Sequence, residues 1–287
     1  MPDQSPVAVV TGASRGAGRG IAVALGSHGC TVYVTGRSEK SGDSPLPGTI
    51  YETAERVTAA GGTGIAVRVD HAVDGEVHAL FERVEREQGR LDILVNNACA
   101  IHDELTAPGH FWEKSLGIAG MLDVGLRSSY VASYYAAPLM VSRRHGLIVF
   151  TSASGSVHYV YGPVYGVHKA GMDKFAADMA LDLKDFGVAA VSIWMGALKA
   201  ERLQMLIDSA PEKYAHLAEI TETPEFTGHV IWGLYNDPAL PELSGQAVIG
   251  AEMALKYGIT DEGGRQPVSC RTTHKVAPRA QYPYIIR

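Results

Sequence analysis

The sequence predicts an α/β fold, one parallel sheet of about seven strands with helices on both faces, and three observations carry that prediction. Short apolar runs alternate with helix-spaced segments from Val7 to Ile249. The runs are continuous rather than alternating in polarity, as strands buried on both faces require. A glycine-rich turn follows the first run directly, at the edge where such sheets gather ligands.

The elements follow in order. VAVVT, Val7 to Thr11, is the first strand; after the turn, Ala17 to His28 has helical spacing through Ile21, Val23, Ala24 and Leu25. TVYVT, Thr31 to Thr35, is the second strand and completes a βαβ unit. A helix is expected around Ile50 to Ala60, stopped by Gly61 and Gly62, then a strand over Gly64 to Val69 and a helix around Glu76 to Gln88, stopped by Gly89. Next come a strand at Leu91 to Asn96, a long helix around Met121 to Val141, a strand at Leu147 to Thr151, a helix from about Val164 to Phe186 and a strand at Val188 to Trp194. Such alternation forces right-handed crossovers and a parallel order, which is the doubly wound Rossmann class. After Trp194 the rhythm breaks. Residues 196–226 carry Leu198, Leu203, Met205, Leu206 and Ile207 among charges, the pattern of one or two short amphipathic helices in an inserted substrate segment. A helix near Phe226 to Leu234 and a strand at Gln246 to Ile249 close a nucleotide-binding domain over 1–255, leaving 256–287 as an irregular tail.

Composition narrows the partners. With 46% hydrophobic and 20% charged residues and a net charge of −6, the 287-residue chain is neither disordered nor fibrous. It has no basic block, so neither nucleic acid nor an anionic membrane is an expected partner; a small molecule is. Cys30, Cys99 and Cys270 form no CxxC pair or even set, which fits a reducing, cytoplasmic setting. MPDQSPVAVVTG lacks a basic stretch ahead of its apolar run, so no signal peptide is expected. The longest run free of Asp, Glu, Lys and Arg, His145 to His168, is too polar to span a membrane. Eleven histidines show neither HExxH nor a compact cluster, so no metal is expected.

Thr11 to Gly18 reads TGASRGAG. Glycines at 12, 16 and 18 let the chain turn sharply, bring backbone close to a pyrophosphate and present free N–H groups at a helix start. Gly12, Ser14, Arg15, Gly16, Ala17 and Gly18 are therefore cofactor-binding candidates. GASRG is also a formal GxSxG elbow at Ser14, but it lies too early in the chain for an upstream strand and loop to supply an oxyanion donor. The second strand ends TGRS, with Arg37 where a carboxylate for a ribose hydroxyl is expected. Arg15, Arg37 and Ser38 suit a 2′-phosphate, because a guanidinium offers a fork of charged donors, and this favours NADP(H). If both arginines are merely solvated, NAD(H) is the alternative.

Tyr165 and Lys169 stand four apart on an expected helix, so they share a face. Ser152 sits just past the fifth strand, at the ligand-binding edge. A phenol of ordinary pKa about 10 is a poor proton carrier at neutral pH, and a nearby ammonium is expected to draw it down. Ser152 would hold a substrate oxygen and Tyr165 would exchange its proton, with His145 to His168 as the floor of the site.

TGASRGAG, Asp70 after the third strand, NNA at Asn96 to Ala98, and Ser152 thirteen residues ahead of the YxxxK pair resemble the short-chain dehydrogenase/reductase family over about residues 5–255. Within it, GLRSSY from Gly125, YGVHKAGMDKFAADMALDLKDFGV from Tyr165, LSGQ from Leu243 and KYGITDEGGR from Lys256 resemble the group named after dehydrogenase/reductase SDR family member 1. The resemblance implies NADP-dependent oxidation or reduction of an alcohol/carbonyl pair. It implies that Asp70 and His71 flank the adenine, Asn97 and Ala98 the adenosine, and Lys169 the nicotinamide ribose, with Gly196 and Leu198 completing the cofactor contacts. It places Tyr159 among substrate contacts, beside His158 and Tyr161. It also implies a homodimer or homotetramer packed through the helices around Met121 to Val141 and Val164 to Phe186.

The chain departs from that pattern at four places. Cys99 stands for the last Gly of NNAG, Gly125 for the asparagine of the family's catalytic tetrad, Met195 for the Pro of a PG pair, and Ala200 for a frequent cofactor-binding Thr. Gly125 retains the backbone carbonyl through which that position acts. These losses motivate a rival reading from another class, a catalytically weak or silent dinucleotide-binding sensor or scaffold. Met205, Leu206 and Ile207 are expected to form an apolar lid over a medium-sized apolar substrate.

Overall fold

Each continuous apolar run becomes a strand: β1 Val7–Val10, β2 Thr31–Gly36, β3 Thr63–Arg68, β4 Ile93–Asn96, β5 Gly146–Ser152, β6 Val188–Trp194 and β7 Ala247–Ile249. The computed structural model describes residues 5–282 and 284–286. The first four residues, and with them part of the opening stretch examined for a signal peptide and the start of the 1–255 domain, lie outside the described residues, as do Pro283 and Arg287 of the tail. The sheet order is β3-β2-β1-β4-β5-β6-β7, parallel throughout. The winding reverses between β1 and β4, so a crevice opens beyond their carboxyl ends.

Side chains along each strand alternate between two cores. Ala8, Val10, Val95 and Val149 face one side, packed with Ile21 and Leu25 of α1 (Gly16–Ser27), Val57 of α2 (Ile50–Ala59) and Phe226 and Val230 of α9 (Pro224–Tyr235). Val9, Leu94, Ile148 and Phe150 face the other, with Leu80 of α3 (Asp74–Gln88), Met140 of α4 (Ser128–Val141) and Met172 and Ala176 of α5 (Pro163–Leu183). α2 starts at a capping box, in which Thr49 and Glu52 satisfy each other's backbone N–H. Gly89, in the left-handed region, stops α3. α1 meets α9 so closely that a Cβ on Gly20 would lie 2.2 Å from the Pro224 carbonyl carbon.

Three expectations need correction. The helix expected from Met121 starts only at Ser128. Leu122–Arg127 is a distorted turn broken at Val124 and Gly125, and Gly125 has φ 151° and ψ −73°, a conformation that only glycine adopts without strain. The segment after β6 forms three short helices rather than one or two: α6 Glu201–Ser209, α7 Pro211–Tyr214 and α8 Leu217–Ile220. Pro211 makes the first break, since the residue before proline is pushed out of helical geometry. Finally, α10 (Leu240–Leu243) precedes β7, and α11 (Gly250–Tyr257), absent from the expected elements, follows it. The tail beyond is irregular except for one 3-10 turn and α12 (Cys270–Thr273), and it is docked: Cys270 and Val276 pack on the cluster of Trp194, Ile249 and Ala251. Among the described residues no helix is long and apolar enough to cross a membrane, and no group of three His, Cys, Asp or Glu side chains could hold a metal ion.

Candidate active site

Thr11 fixes the glycine loop. Its hydroxyl donates to the Val95 carbonyl at 3.2 Å and accepts from the Asn97 and Ala98 amides at 2.9 and 3.0 Å. The Asn97 side chain donates back to the Thr11 and Gly12 carbonyls at 2.9 and 3.1 Å. The loop is thereby pressed onto the end of β4. A Cβ on Gly12, whose φ is 65°, would lie 2.6 Å from the Ala98 Cα, and one on Gly18 would lie 2.4 Å from the Gly12 carbonyl oxygen. At the start of α1 the Gly16 amide donates to Glu201 Oε2 at 2.9 Å, and Glu201 Oε1 pairs with Arg19 at 2.8 Å. This helix start therefore receives an anion from the chain itself, and the same donors fit the pyrophosphate of a dinucleotide.

The next cluster is basic. Arg15 donates to Ser38 Oγ and the Gly48 carbonyl at 2.8 Å each and to the Pro47 carbonyl at 3.0 Å, which holds it beside the end of β2. Burial lowers its pKa; Glu201 opposes that shift, while Arg19, Arg202 and Arg37 add repulsion. Arg37 is largely exposed, 3.6 Å from Asp70. Arg15, Ser38, Arg37 and Asp70 thus come together, with Ser14 buried beneath them. His71 is turned inward, its Nε2 bonded to Thr35 Oγ1 at 2.9 Å, and burial lowers its pKa to about 4, so its ring is a neutral core group.

β5 delivers Ser152, and α5 delivers Tyr165 and Lys169, to one place. Ser152 Oγ donates to the Lys169 carbonyl at 3.1 Å, and Lys169 Nζ donates to the Thr151 carbonyl at 3.2 Å while lying 5.6 Å from the Tyr165 ring centre. The Tyr165 ring rests on Gly155, where a Cβ would come within 2.5 Å of it, and meets Tyr161 edge-on at 5.3 Å. Burial pushes the Tyr165 phenol up, reinforced by Tyr161 and Cys99. Burial pulls Lys169 down, opposed by Cys99 and Asp173. The expectation that Lys169 draws the phenol down is thus corrected for this structure: the ammonium lies over the ring, and loss of hydration outweighs it. Tyr159 is 79% exposed, so Tyr161 is the tyrosine of that loop in contact with Tyr165. His158 bonds Ser154 Oγ at 3.0 Å and faces His274 of the tail.

Beyond β6, Gly196 and Leu198 fall in a clasp. The Gly196 amide donates to Glu222 Oε2 at 3.0 Å, and Leu198 lies opposite Glu222 in a parallel bridge, the Lys199 amide donating to the Glu222 carbonyl at 2.8 Å and the Glu222 amide to the Ala197 carbonyl at 2.7 Å. Asp261 holds the next residue, Thr223, by its amide at 3.0 Å and pairs with Arg265 at 2.7 Å. On α6, Met205 and Leu206 are exposed, and Arg202 pairs with Asp103 at 3.0 Å, linking this segment to the loop after β4.

Sequence reasoning missed Glu222, Glu201 and Asp173. Asp173, one turn beyond Lys169, accepts from Ser192 Oγ at 2.6 Å and Trp194 Nε1 at 3.0 Å. Its four-residue offset from Lys169 was a usable signal. The two glutamates act across long sequence separations and left none.

A family model described as short chain dehydrogenase matches residues 6–210. Dehydrogenase/reductase SDR family member 1 of Homo sapiens is 40% identical over 275 residues, which cover 92% of this chain and 85% of that protein. Hydroxysteroid dehydrogenase-like protein 2 of Danio rerio is 27% identical over 256 residues, covering 88% of this chain and 58% of that protein. Among solved structures, that of a short chain dehydrogenase from Mycobacterium thermoresistibile superposes with a TM-score of 0.75 at 25% identity, covering 92% of this chain and 93% of the other.

Burial pushes the Glu222 carboxyl from 4.5 up to about 7. Because the folded value is the higher one, its stabilising contribution is full below about pH 4.5 and is lost as pH rises through about 7, amounting to about 3 kcal/mol in all. In Glu222→Gln that loss should vanish. Urea unfolding of both proteins from about pH 5 to about pH 8 should show the variant gaining on wild type by about 2–3 kcal/mol; a constant difference would sink the assignment.

Proposed function

This chain belongs to the short-chain dehydrogenase family, an oxidoreductase family that uses NAD(P)(H), and from that premise we propose that it moves hydride between NADP(H) and the alcohol/carbonyl pair of a medium-sized apolar substrate. The observation that carries the reading is the fastening of Ser152, Tyr165 and Lys169 at the carboxyl end of β5 by bonds through Thr151 and the Lys169 carbonyl. The nicotinamide, when bound, supplies or accepts the hydride. Ser152 turns its hydroxyl from the Lys169 carbonyl to the substrate oxygen. Tyr165 gives that oxygen a proton in reduction and takes it back in oxidation. Lys169 offsets the charge left on the phenolate, an effect that low local polarity strengthens.

Gly12, Gly16, Ala17 and Gly18 would hold the pyrophosphate through backbone, with Asn97 and Ala98 beside the adenosine. Arg15, Arg37 and Ser38 would hold the 2′-phosphate. The 2.8 Å contact between Arg15 and Ser38 supports NADP(H) over NAD(H), since it sets a guanidinium and a hydroxyl side by side at the end of β2. The same reading includes a homodimer or homotetramer through α4 and α5, supported by Tyr130 and Tyr134, which stand at least half exposed on α4. Light scattering showing a lone monomer would refute it.

Tyr165→Phe should lower kcat/KM for NADPH-dependent carbonyl reduction by about 100-fold or more, with NADPH affinity by fluorescence titration unchanged within about twofold. Loss of turnover and binding together would overturn the acid–base role. Wild type that binds NADPH but reduces nothing in a broad carbonyl panel would favour the sensor reading. Arg15→Ala with Arg37→Ala should weaken NADPH about tenfold or more and NADH little; equal effects would favour NAD(H).

A further inference from the structure

The first turn of α1 gathers positive charge and has no local anion to meet it. Its N-cap, Arg15, is extended and makes no side-chain cap, and no Asp or Glu stands in the first turn. Capping groups ordinarily come from within a few residues. Here the group comes from 185 residues further along the chain: Glu201 Oε2 accepts from the Gly16 amide at 2.9 Å while Oε1 pairs with Arg19 at 2.8 Å. Both carboxylate oxygens are engaged, and the Glu201 side chain is only 10% exposed. An amide and a guanidinium at one helix start thus converge on two oxygens of one anion, a contact that a phosphate group also makes.

The segment that carries Glu201 has little else to hold it there. α6 buries none of its residues, and Met205 and Leu206 on it are exposed. Its neighbouring residue, Arg202, pairs with Asp103 at 3.0 Å through side chains 44% and 86% exposed, and reaches the Ile101 carbonyl at 3.3 Å. A solvated pair of that kind adds little. Among the described residues, Glu201 is therefore the main fastening of α6, and it is made to the glycine loop itself.

Gly16 is also one of the groups that would hold the pyrophosphate, so two anions have a claim on one place. Its single N–H cannot serve both fully, and a carboxylate and a diphosphate repel each other at that distance. We propose that Glu201 is a built-in competitor for the dinucleotide: its carboxylate latches the start of α6 to the glycine loop, and binding of the pyrophosphate to Gly16 and Arg19 displaces it and frees that end of the substrate segment. This exchange rests on the dinucleotide binding proposed above. It adds Arg19 to the groups that meet the pyrophosphate, and it makes the coenzyme, rather than the substrate, the ligand that loosens α6. A carboxylate that occupies the place for roughly nine-tenths of the time raises the apparent Kd of the coenzyme about tenfold.

Fluorescence titration of NADPH into wild type, Glu201→Gln and Glu201→Asp tests this. Gln keeps the length and loses the charge, whereas Asp keeps the charge and falls one methylene short of Gly16. Both variants should bind NADPH about tenfold more tightly than wild type. In the free proteins, proton–nitrogen NMR should show the Gly16 amide proton moving upfield in both, because each loses its charged acceptor. Arg19→Met added to Glu201→Gln should weaken NADPH about fivefold or more; no loss overturns the exchange at Arg19. Equal NADPH affinity in wild type and both variants overturns the competition and leaves the nucleotide reading standing. Tightening in Glu201→Gln alone overturns it too, since loss of charge without loss of contact then suffices, and so does an unmoved Gly16 amide. If none of the three proteins binds NADPH, the nucleotide reading falls and the competition with it, an outcome distinct from equal binding.

Discussion

Much of this molecule depends on one hydroxyl, that of Thr11, placed where the sheet changes its direction of winding. Strands on either side of β1 and β4 send their crossovers apart, so the ends of those two strands are held together only by the sheet bonds between them and by what bridges them at the edge. Thr11, at the end of β1, spans the gap by donating to the Val95 carbonyl and accepting from the Asn97 and Ala98 amides, all at the end of β4. The bridge keeps the crevice narrow while leaving it open. The tilt of the glycine loop, the first amide of α1 and the path of the chain from β4 past Cys99 all follow from it.

From that edge outward the site divides by its contact with water. Tyr165 and Glu222 are held towards their neutral forms, as are Lys169, His168 and His71, and burial is the leading cause in every case. At the other end Arg37 is solvated beside Asp70. A poorly hydrated end magnifies small displacements of a proton, whereas a hydrated end tolerates a highly charged group. The chain therefore offers two media within a single crevice.

The strands were legible because burial on both faces demands unbroken apolar runs, and the glycine loop and YxxxK pair were legible because their geometry is local. Other features were not. The apolar periodicity around Met121 masked Gly125, whose positive φ starts the following helix late. The tail has no periodicity because its position comes from contacts with Trp194 and Ile249, not from its own pattern. The direction of the Tyr165 shift depends on how much water the fold excludes, which spacing cannot report. Glu222 and Gly196 are 26 residues apart in the chain, so no local pattern announces that they meet.

The clasp between Leu198 and Glu222 also makes the stretch between them a loop whose two ends leave the body at neighbouring points. Closing such a loop costs free energy that grows only logarithmically with its length, about 0.6 kcal/mol for each doubling. Insertions and deletions there leave the strand registers untouched. The segment is in effect an exchangeable cassette whose length can drift while the sheet stays as it is, tethered to the glycine loop at its start by Glu201 alone among the bonds described above.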